Sequence, residues 1–502
     1  RPHVPMRPAS LSCFRLVPAV LSVLLIASAA LGLRPQLLKA QTSDAPENVI
    51  FIISDDHRHD FMGFHKRGPD FLQTPAFDRM AREGAHLKNA FVTTSLCSPS
   101  RASILTGKYA HNHGVVSNST PIPDSARFFP EFVQDAGYNT AFIGKWHMGH
   151  QDASPRRGFD RWVSFPGQGV YDDPTFNVDG EKVEREGYMT DLLTDYAIDW
   201  LGQQKDAGDP FFLYLSHKAV HAEFEPADRH EGTYADLDPP RPPTMANTEA
   251  NYRGKPDWVK EQRYSWHGVS YMYHGDMTYD TFYRSYAETL LALDESIGRV
   301  LDHLEKTGLA ENTLVIYMGD NGFLLGEHGL IDKRNAYEPS IRVPMLAWSP
   351  GTIEPGTTIS SLIRNIDVAP TIFEVTGVSS DRMQFDGTSF LDLLKGEPAD
   401  RNRSFLYEYY WEHAFPHTPT TFALRGDTYK YIYYHGIWDQ NELYNLENDP
   451  REEHNLIDVP AQQARVDSMR NRLFDRLEAE GAMQIPLRRG DWQADERLRD
   501  DR

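Results

Sequence analysis

The run from Cys97 to Lys108, CSPSRASILTGK, brings a thiol close to hydroxyl and cationic side chains. Pro99 suits the first turn of a helix, and the small and aliphatic residues after it continue a helical pattern. We therefore expect Cys97 at or just before a helix N-terminus, where free N–H groups and the helix dipole favour a bound anion. For one cysteine taken alone, a buried thiol beside a capped helix is the ordinary alternative.

Oxygen-bearing side chains follow two runs of apolar residues. Asp55 and Asp56 come directly after the first run, and Asp320 and Asn321 come shortly after the second. Carboxylate and amide oxygens suit hard divalent cations, and the lack of paired cysteine or histidine spacing argues against zinc. Each pair taken alone is more often a helix cap or a turn. These oxygens separate calcium from magnesium poorly, so both ions stay open at this point.

A second candidate group is cationic or carries an imidazole. Its members are Arg101, Lys145, His147, His221 and Lys333. Taken in isolation, the two lysines would be assigned to solvent and His147 to a hydrogen-bonded structural histidine. The surrounding motifs favour a catalytic role for these residues instead.

These motifs resemble those of one enzyme family. Residues 97–108 resemble the signature of type I sulfatases, in which the cysteine is oxidised after translation to formylglycine. Gly-Lys-Trp-His at 144–147 looks like the family's Gly-Lys-x-His, and Lys333 follows Asp-Asn-Gly at the usual distance. The resemblance covers nearly all of residues 46–458, and over residues 100–113 it is nearest to N-acetylglucosamine-6-sulfatases and bacterial glycan sulfatases.

The resemblance implies a modified residue and a metal ion. Cys97 would be converted by a formylglycine-generating enzyme or an anaerobic sulfatase-maturating enzyme. The hydrated aldehyde would be a gem-diol, one hydroxyl of which attacks sulfur. One calcium ion would be bound by the residue-97 side chain together with Asp55, Asp56, Asp320 and Asn321.

The cationic group would then serve a sulfate ester. Negative charge collects on the bridging oxygen as the S–O bond breaks, so hydrolysis needs fixed cations and a proton donor. The resemblance implies that His221 donates this proton with the help of Lys333, and that His147 deprotonates the second hydroxyl so that sulfate leaves. Arg101 and Lys145 would hold the diol and the sulfate oxygens.

The elements that must position these residues are strands. Each of four apolar runs ends in polar or ionisable residues, at the edge of an open α/β sheet where ligands bind. The predicted strands are Val49–Ile53, Thr140–Ile143, Phe211–Leu215 and Leu314–Met318. Helical patterns lie between them, at about 75–84, 128–137, 188–204, 281–307 and 367–376. This alternation predicts an α/β fold with helices on both faces. The resemblance makes it alkaline-phosphatase-like, with a large, mixed, mostly parallel sheet.

The character of the chain changes after Thr388. Short aromatic runs at Phe405–Tyr410, Phe422–Arg425 and Tyr429–Tyr434 predict a small antiparallel sheet, which a helix near 461–480 should cover. The motif at 442–446 is similar to one that closes the smaller domain of many sulfatases. We predict a catalytic domain over 46–388, a smaller C-terminal domain over 389–487 and a tail over 488–502.

The stretch from Ala222 to Asp280 has no clear periodicity. So long a stretch is more often functional surface than core, and we interpret it as a wall of the substrate cleft, with a spacer as the alternative. The family's His-x-Pro is replaced here by His221-Ala222-Glu223, which leaves the wall beside the histidine undetermined. His217 and His328 match less specifically, and we assign them to structure.

Charge and the N-terminus bear on location and partners. The formal net charge of −21 argues against a nucleic-acid partner, because binding phosphates calls for a basic face. Residues 1–40 carry five basic residues and no acid around an apolar core, which predicts a signal peptide and export to the periplasm or medium. The apolar run is near the lower limit for a membrane span and contains Pro18 and Gly32, so no stable membrane anchor is expected.

The expected substrate is a sulfated glycan. Sugar rings need aromatic faces and polar partners, and the C-terminal domain offers Tyr409, Tyr410, Trp411, Glu412, His413, His417 and Arg425. We expect this segment to reach the cleft rim, with His413 or Arg425 contacting the sugar and 6-sulfated hexosamine as first candidate. The alternative is that these aromatic residues form the core of the small sheet. Other functions left open are a phosphodiesterase or phosphonate monoester hydrolase, a generalist arylsulfatase, and a non-catalytic glycan-binding protein.

Overall fold

The computed structural model describes residues 46–485, except residues 124, 150, 276, 399–402 and 437–438 and the side chains of 206 and 274. The predicted signal peptide and the predicted tail over 488–502 lie outside the described residues. Within the described part of the chain, none of the helices has the length and apolar character needed to span a bilayer.

The strands of the described residues belong to three sheets. They are β1 (Asn48–Ser54), β2 (Ala85–Leu87), β3 (Ala90–Phe91), β4 (Asn139–Gly144), β5 (Arg161–Ser164), β6 (Thr175–Val178), β7 (Glu181–Glu184), β8 (Phe211–Ser216), β9 (Thr313–Gly319), β10 (Met345–Trp348), β11 (Thr357–Ile359), β12 (Ile363–Arg364), β13 (Ser404–Tyr409), β14 (Thr421–Gly426), β15 (Tyr429–Tyr434) and β16 (Glu442–Asn445). The large sheet has the order β11-β2-β10-β9-β1-β8-β4-β5-β6-β7, β12 pairs with β3, and β13 to β16 follow one another in a four-stranded sheet.

The helices fill the connections. They are α1 (Pro75–Glu83), α2 (Cys97–Thr106), α3 (Ala110–His113), α4 (Phe129–Asp135), α5 (Met189–Ala207), α6 (Glu249–Tyr252), α7 (Asp257–Gln262), α8 (Met272–Gly275), α9 (Tyr279–Thr307), α10 (Glu338–Ile341), α11 (Val368–Val375), α12 (Leu391–Leu394) and α13 (Gln463–Ala479). Short 3-10 helices lie at Pro243–Met245, Ala310–Asn312, Glu327–Gly329, Asn365–Asp367, Ser380–Arg382 and Pro460–Gln462.

The centre of the large sheet is parallel. β1 pairs in parallel with both β8 and β9, and β4 pairs in parallel with both β8 and β5. Every residue of β1 and β8 is buried, as expected for strands covered on both faces. The four predicted strands and the large, mixed, mostly parallel sheet are therefore confirmed.

Alternate residues of these strands face two different cores. Ile50 and Ile52 pack among residues of α1, α5 and α9, whereas Val49 and Phe51 pack among residues of α2, α4 and α11. The sheet is thus a middle layer between two layers of helices. The predicted helices are present within a few residues of their expected ends.

The four-stranded sheet is also covered on both faces. One face packs on the larger part of the chain, with Phe405 and Tyr407 against Phe91 and Leu330. The other face packs on α13 and on the α2–α3 region. Leu391 and Leu394 of α12 still pack beside the large sheet, whereas the small sheet begins at Ser404. The domain division at residue 388 stays a prediction, and this packing favours a division a few residues later.

Candidate active site

The proposed reactive residues meet at the carboxyl edge of the large sheet. β1 leads into Asp55 and Asp56, β9 into Asp320 and Asn321, β4 into Lys145 and His147, and β8 into the turn that carries His221. Because parallel strands end at one edge, residues far apart in sequence become neighbours there. The helix α2 delivers Cys97 to the same place as its first residue.

Gly144, the last residue of β4, shows how tightly this edge is built. Its φ is +125°, and a Cβ at this position would lie 1.7 Å from the carbonyl oxygen of Ser216 at the end of β8. Only glycine lets the two strand ends approach this closely. Lys145 therefore enters the site from a fixed backbone position.

Cys97 is fully buried among charged groups. Its Sγ donates to Asp55 Oδ1 at 3.3 Å and accepts from Lys333 Nζ at 2.9 Å. Burial, followed by the charge of Asp55, raises the pKa of the Cys97 thiol to about 12. An unmodified thiol here stays protonated and is a poor nucleophile at neutral pH.

The carboxylates beside it form a cluster that could hold a metal ion. Single oxygens of Asp55, Asp56 and Asp320 lie within 4.8 Å of one another. Burial, followed by the charge of Asp55, raises the pKa of Asp320 to about 7, and burial also raises the pKa of Asp56. Two buried oxygens, Asp56 Oδ2 and Asn321 Oδ1, have no hydrogen-bond partner among the described residues. A hard cation would satisfy these oxygens and remove the repulsion, so the donor set fits such an ion.

Cationic side chains surround this cluster. Lys145 Nζ donates to Asp55 Oδ2 and to Gln168 Oε1. Lys333 Nζ donates to Asp56 Oδ1 at 2.5 Å. Although burial alone would raise the pKa of Asp55, the charges of Lys145 and its neighbours hold that pKa well below its usual value.

Arg101 faces the carboxylates more than the thiol. Its guanidinium lies 2.9 Å from Asp320 Oδ2 and 3.3 Å from Asp55 Oδ2, and it also donates to the Lys145 carbonyl oxygen at 2.8 Å. These contacts suit a residue that holds three strand ends together, those of β1, β4 and β9.

The two predicted catalytic histidines lie near Cys97 and the next residue, Ser98, respectively. His221 Nε2 is 3.8 Å from Asp56 Oδ2, and its Nδ1 donates to the Ala222 carbonyl oxygen at 2.9 Å. His147 Nδ1 lies 3.4 Å from the hydroxyl of Ser98, which donates to the His147 carbonyl. Burial and the charge of Lys145 hold the pKa of His147 well below its usual value, so its ring is neutral and can accept a proton.

His413 belongs to a segment next to Lys333. Glu412 accepts from Arg334 Nε at 3.0 Å, and the Arg334 guanidinium lies 3.7 Å from the centre of the Phe415 ring. His413 itself is exposed beside Trp411, whose side chain is 43% exposed. Tyr409 and Tyr410, by contrast, are buried in the small sheet, as the core alternative expected. The segment is thus divided between core and surface.

Arg425 lies elsewhere. Its guanidinium pairs with Glu338 at 3.1 Å and covers the Phe91 ring at 4.3 Å. It lines a cavity of about 1200 Å³ together with Arg58, Glu327 and Arg342. None of the predicted catalytic residues lines that cavity, so the structure does not bring Arg425 together with them, and its contact with the sugar stays a prediction.

Sequence reasoning missed several residues of the site. Gln168, Tyr171 and Lys218 approach the catalytic residues through contacts that no local motif signals. Beside Lys333, the buried atoms Asp332 Oδ2 and Asn335 Nδ2 have no hydrogen-bond partner in the described part of the chain. For Asp332 and Asn335, the one signal available in the sequence was their position close to Lys333. His217 and His328 are buried, His217 near the Ser296 hydroxyl and His328 against the Tyr337 ring, and their assignment to structure stays a prediction.

Comparisons with known proteins agree with this geometry. The sulfatase family model matches residues 47–378, and a model of the C-terminal region of N-sulphoglucosamine sulphohydrolase matches residues 326–479. An N-acetylglucosamine-6-O-sulfatase of Bacteroides thetaiotaomicron is 33% identical over 87% of this chain and 87% of its own. Human N-acetylglucosamine-6-sulfatase is 31% identical over 70% of this chain and 64% of its own.

Solved structures show the same fold. One is of a protein in complex with its substrate D-glucosamine-2-N,6-O-disulfate; it is 31% identical, with a TM-score of 0.80 over 88% of this chain and 99% of its own. A phosphonate monoester hydrolase from Silicibacter pomeroyi is 22% identical, with a TM-score of 0.73 over 86% of this chain and 96% of its own. The latter likeness concerns the fold alone.

Proposed function

The chain belongs to the sulfatase family, and from this premise we propose that it is a carbohydrate O-sulfatase that releases inorganic sulfate from sulfated oligosaccharides or polysaccharides. The observation that carries the proposal is the contact of Cys97 with both Asp55 and Lys333. It joins the signature cysteine to an acidic cluster and to a cation. Such a site suits an anionic ester whose leaving oxygen gains charge.

We propose that Cys97 is converted to formylglycine by a maturation enzyme of either known type. Support comes from its raised pKa, which makes the thiol itself a poor nucleophile. Hydrated formylglycine supplies the hydroxyl that attacks sulfur. A peptide mass measurement on protein from a host with the maturation enzyme tests the conversion.

We propose calcium as the metal ion, held by Asp55, Asp56, Asp320 and Asn321 with the residue-97 side chain. The unpartnered oxygens of Asp56 and Asn321 support a cation, and an all-oxygen donor set supports a hard one. When bound, the ion supplies positive charge that favours an ionised hydroxyl nucleophile.

The remaining roles follow from the contacts of each side chain. His221 turns Nε2 towards the cluster and is proposed to protonate the leaving oxygen, with Lys333 beside it. His147, being neutral, is proposed to accept a proton when sulfate is released. Lys145 and Arg101 are proposed to balance the carboxylates and to attract the sulfate group.

We propose a 6-O-sulfated glucosamine unit as the substrate. The names of the relatives at 31–33% identity support it. The exposed His413, on the segment next to Lys333, is a candidate sugar contact.

The test compares kcat/KM on a panel of sulfated oligosaccharides with that on nitrophenyl sulfate. We expect a 6-sulfated glucosamine saccharide to be the best substrate. His413→Ala should lower its kcat/KM about tenfold, the scale of one lost polar contact. His435→Ala, an exposed histidine of the same small sheet, is the control.

Three other outcomes would change the assignment. A better rate on the aryl ester, with no effect of His413→Ala on any glycan, would indicate a generalist arylsulfatase. Parallel rates on phosphate diesters or phosphonate monoesters would indicate the second activity that the fold supports. Binding of sulfated glycan with an unconverted Cys97 and no turnover would indicate a glycan-binding protein.

We also propose that the protein is exported, without a stable membrane anchor. Support comes from the acid-free, apolar N-terminal segment. N-terminal sequencing of periplasmic or secreted material should find a start near Gln41. A start before Leu16 would contradict the proposal.

A further inference from the structure

The turn that carries His221 is held by three hydrogen bonds to two carbonyl groups. Tyr171 donates its hydroxyl to the His221 carbonyl oxygen at 2.6 Å. The Ala222 carbonyl oxygen accepts both from His221 Nδ1 at 2.9 Å and from Lys218 Nζ at 2.8 Å. A carbonyl oxygen has two lone pairs, so both donors can be served at once.

Lys218 makes these contacts from an unusual environment. The residue is 1% exposed, and its ammonium lies 4.4 Å from the centre of the Tyr171 ring. Among the described residues, no carboxylate lies within ion-pair distance of it. An ammonium buried without a counter-ion costs stability, so its contribution must be sought in the geometry that it imposes.

We propose that Lys218 and Tyr171 are positioning residues that aim His221 Nε2 at the leaving oxygen of the substrate. The inference rests on the proposed function, in which His221 is the proton donor. Neither side chain touches the substrate in this scheme. Both act through the backbone carbonyls of His221 and Ala222.

The chemistry explains why the aim of the ring matters. A histidine that donates from Nε2 while its Nδ1 proton is directed at the Ala222 carbonyl is an imidazolium. Burial and the charge of Lys145 hold the pKa of His221 well below its usual value, and the negative charge of a bound sulfate ester favours the charged ring that the step needs. When the S–O bond to the sugar breaks, its electron pair stays on the sugar oxygen, which takes the proton from Nε2 while the sulfuryl group passes to the nucleophile at residue 97. A sugar alcohol is a poor leaving group and needs this proton, whereas a nitrophenolate leaves without it.

The experiment measures kcat and KM for Lys218→Met and Tyr171→Phe on a 6-sulfated glucosamine saccharide and on nitrophenyl sulfate. On the sugar ester we expect kcat to fall about tenfold or more, the scale of a misaligned general acid, with KM little changed. On the aryl ester we expect a change below about threefold. A change in fold alone would lower both rates together.

Two further variants are measured. One shows the size of the effect when the proton donor is lost, and the other is a control for the loss of a hydroxyl group nearby. His221→Ala should show the same preference for the aryl ester, more strongly. Tyr188→Phe removes a hydroxyl that also donates to a backbone carbonyl, that of Glu225, from a ring stacked on Tyr171, and it should change neither substrate's kcat. If turnover of nitrophenyl sulfate is too slow to compare, the sugar ester alone provides the test. A positioning role then predicts a lower kcat with KM little changed.

The outcomes separate this inference from the function on which it rests. If His221→Ala discriminates between the esters but Lys218→Met and Tyr171→Phe do not, the positioning role is wrong and the proposed function stands. If wild type releases no sulfate from any sugar ester, the proposed function fails and takes the inference with it.

Discussion

At the scale of single residues, Cys97 is the position on which the proposed chemistry depends. We expect Cys97→Ala to lower kcat below detection, because no other described side chain at the site can supply the second hydroxyl of a hydrated aldehyde. Cys97→Ser should fail almost as completely for the same reason. Sulfate release measures the effect, and the thermal midpoint checks that each variant stays folded.

The control for this prediction is wild-type protein in which Cys97 is unmodified. Wild-type protein made without a maturation enzyme should resemble Cys97→Ala in activity and in stability. Full activity with a free thiol, established by mass spectrometry on the same sample, would contradict the mechanism.

The acidic cluster gives a second prediction at this scale. Removing the metal with a chelator should abolish activity and lower the thermal midpoint, because three buried carboxylates then repel one another. Calcium at a hundredfold excess over its Kd should restore about 2.7 kcal/mol to the free energy of unfolding. Thermal unfolding with calcium, magnesium or zinc added back measures this; recovery with zinc alone, or activity untouched by chelation, would count against a calcium site.

The sequence predicted the reactive residues better than the residues that position them. Cys97, Asp55 and Lys333 stand in motifs and are brought into contact as expected. Lys218 and Tyr171 stand in no motif, and only the approach of separate elements reveals their contacts. The surroundings of Arg425 could not be predicted, because an arginine in an aromatic strand can be buried when a glutamate such as Glu338 lies opposite.

At the scale of elements, Asp294 of α9 caps the start of α1. Its carboxylate accepts from the backbone N–H groups of Ala76 and Phe77 at 2.9–3.1 Å. Burial raises the pKa of Asp294 from its ordinary 3.8 to about 7. Between these values the folded protein keeps a proton that the unfolded chain releases, so the free energy of unfolding falls as pH rises from about 4 to about 7.

Asp294→Asn should remove this dependence while keeping an oxygen acceptor for the cap. At pH 8 we expect the variant to be more stable than wild type by about 1–3 kcal/mol, and at pH 4 to differ little. Chemical denaturation at both pH values measures the difference. Asp199→Asn, an exposed position on α5, is the control, and an unchanged pH profile for Asp294→Asn would contradict the prediction.

The strands themselves divide into predictable and unpredictable ones. β1, β4, β8 and β9 have continuous apolar runs because helices cover both faces, and such runs stand out in a sequence. β7, with the sequence EKVE, lies exposed at the edge of the sheet and has no pattern to detect. β16 was recognised as a family motif but not as a strand, since its four residues are too few for alternation to show.

At the scale of the whole molecule, His111 and Glu408 join the larger part of the chain to the small sheet. His111 Nδ1 lies 2.8 Å from Glu408 Oε2, and its Nε2 lies 2.9 Å from the Glu480 carbonyl oxygen after α13. Burial would lower the pKa of His111, but the bond to Glu408 outweighs it and raises that pKa above the ordinary 6.5. The contribution to stability is complete below pH 6.5 and is lost as pH rises through the raised value.

His111→Gln should therefore destabilise the protein at pH 6 by about 1–3 kcal/mol and have less effect at pH 9. Denaturant unfolding at the two pH values measures the difference. His435→Gln, an exposed histidine on the same sheet, should have no such effect. Equal losses at both pH values would show that packing, and not the charged pair, holds the junction.

The burial of Cys97 has a consequence for how active enzyme is made. In the folded protein the Cys97 side chain has no exposed surface. The residue is the first of α2, a helix in which every residue is buried. Any enzyme that oxidises this thiol must therefore reach it before the surrounding chain closes over it. If Cys97 is converted as proposed, the active fraction depends on whether modification precedes folding. A host that synthesises the chain faster than its maturation enzyme can modify Cys97 would accumulate folded protein that has an unmodified thiol and no activity.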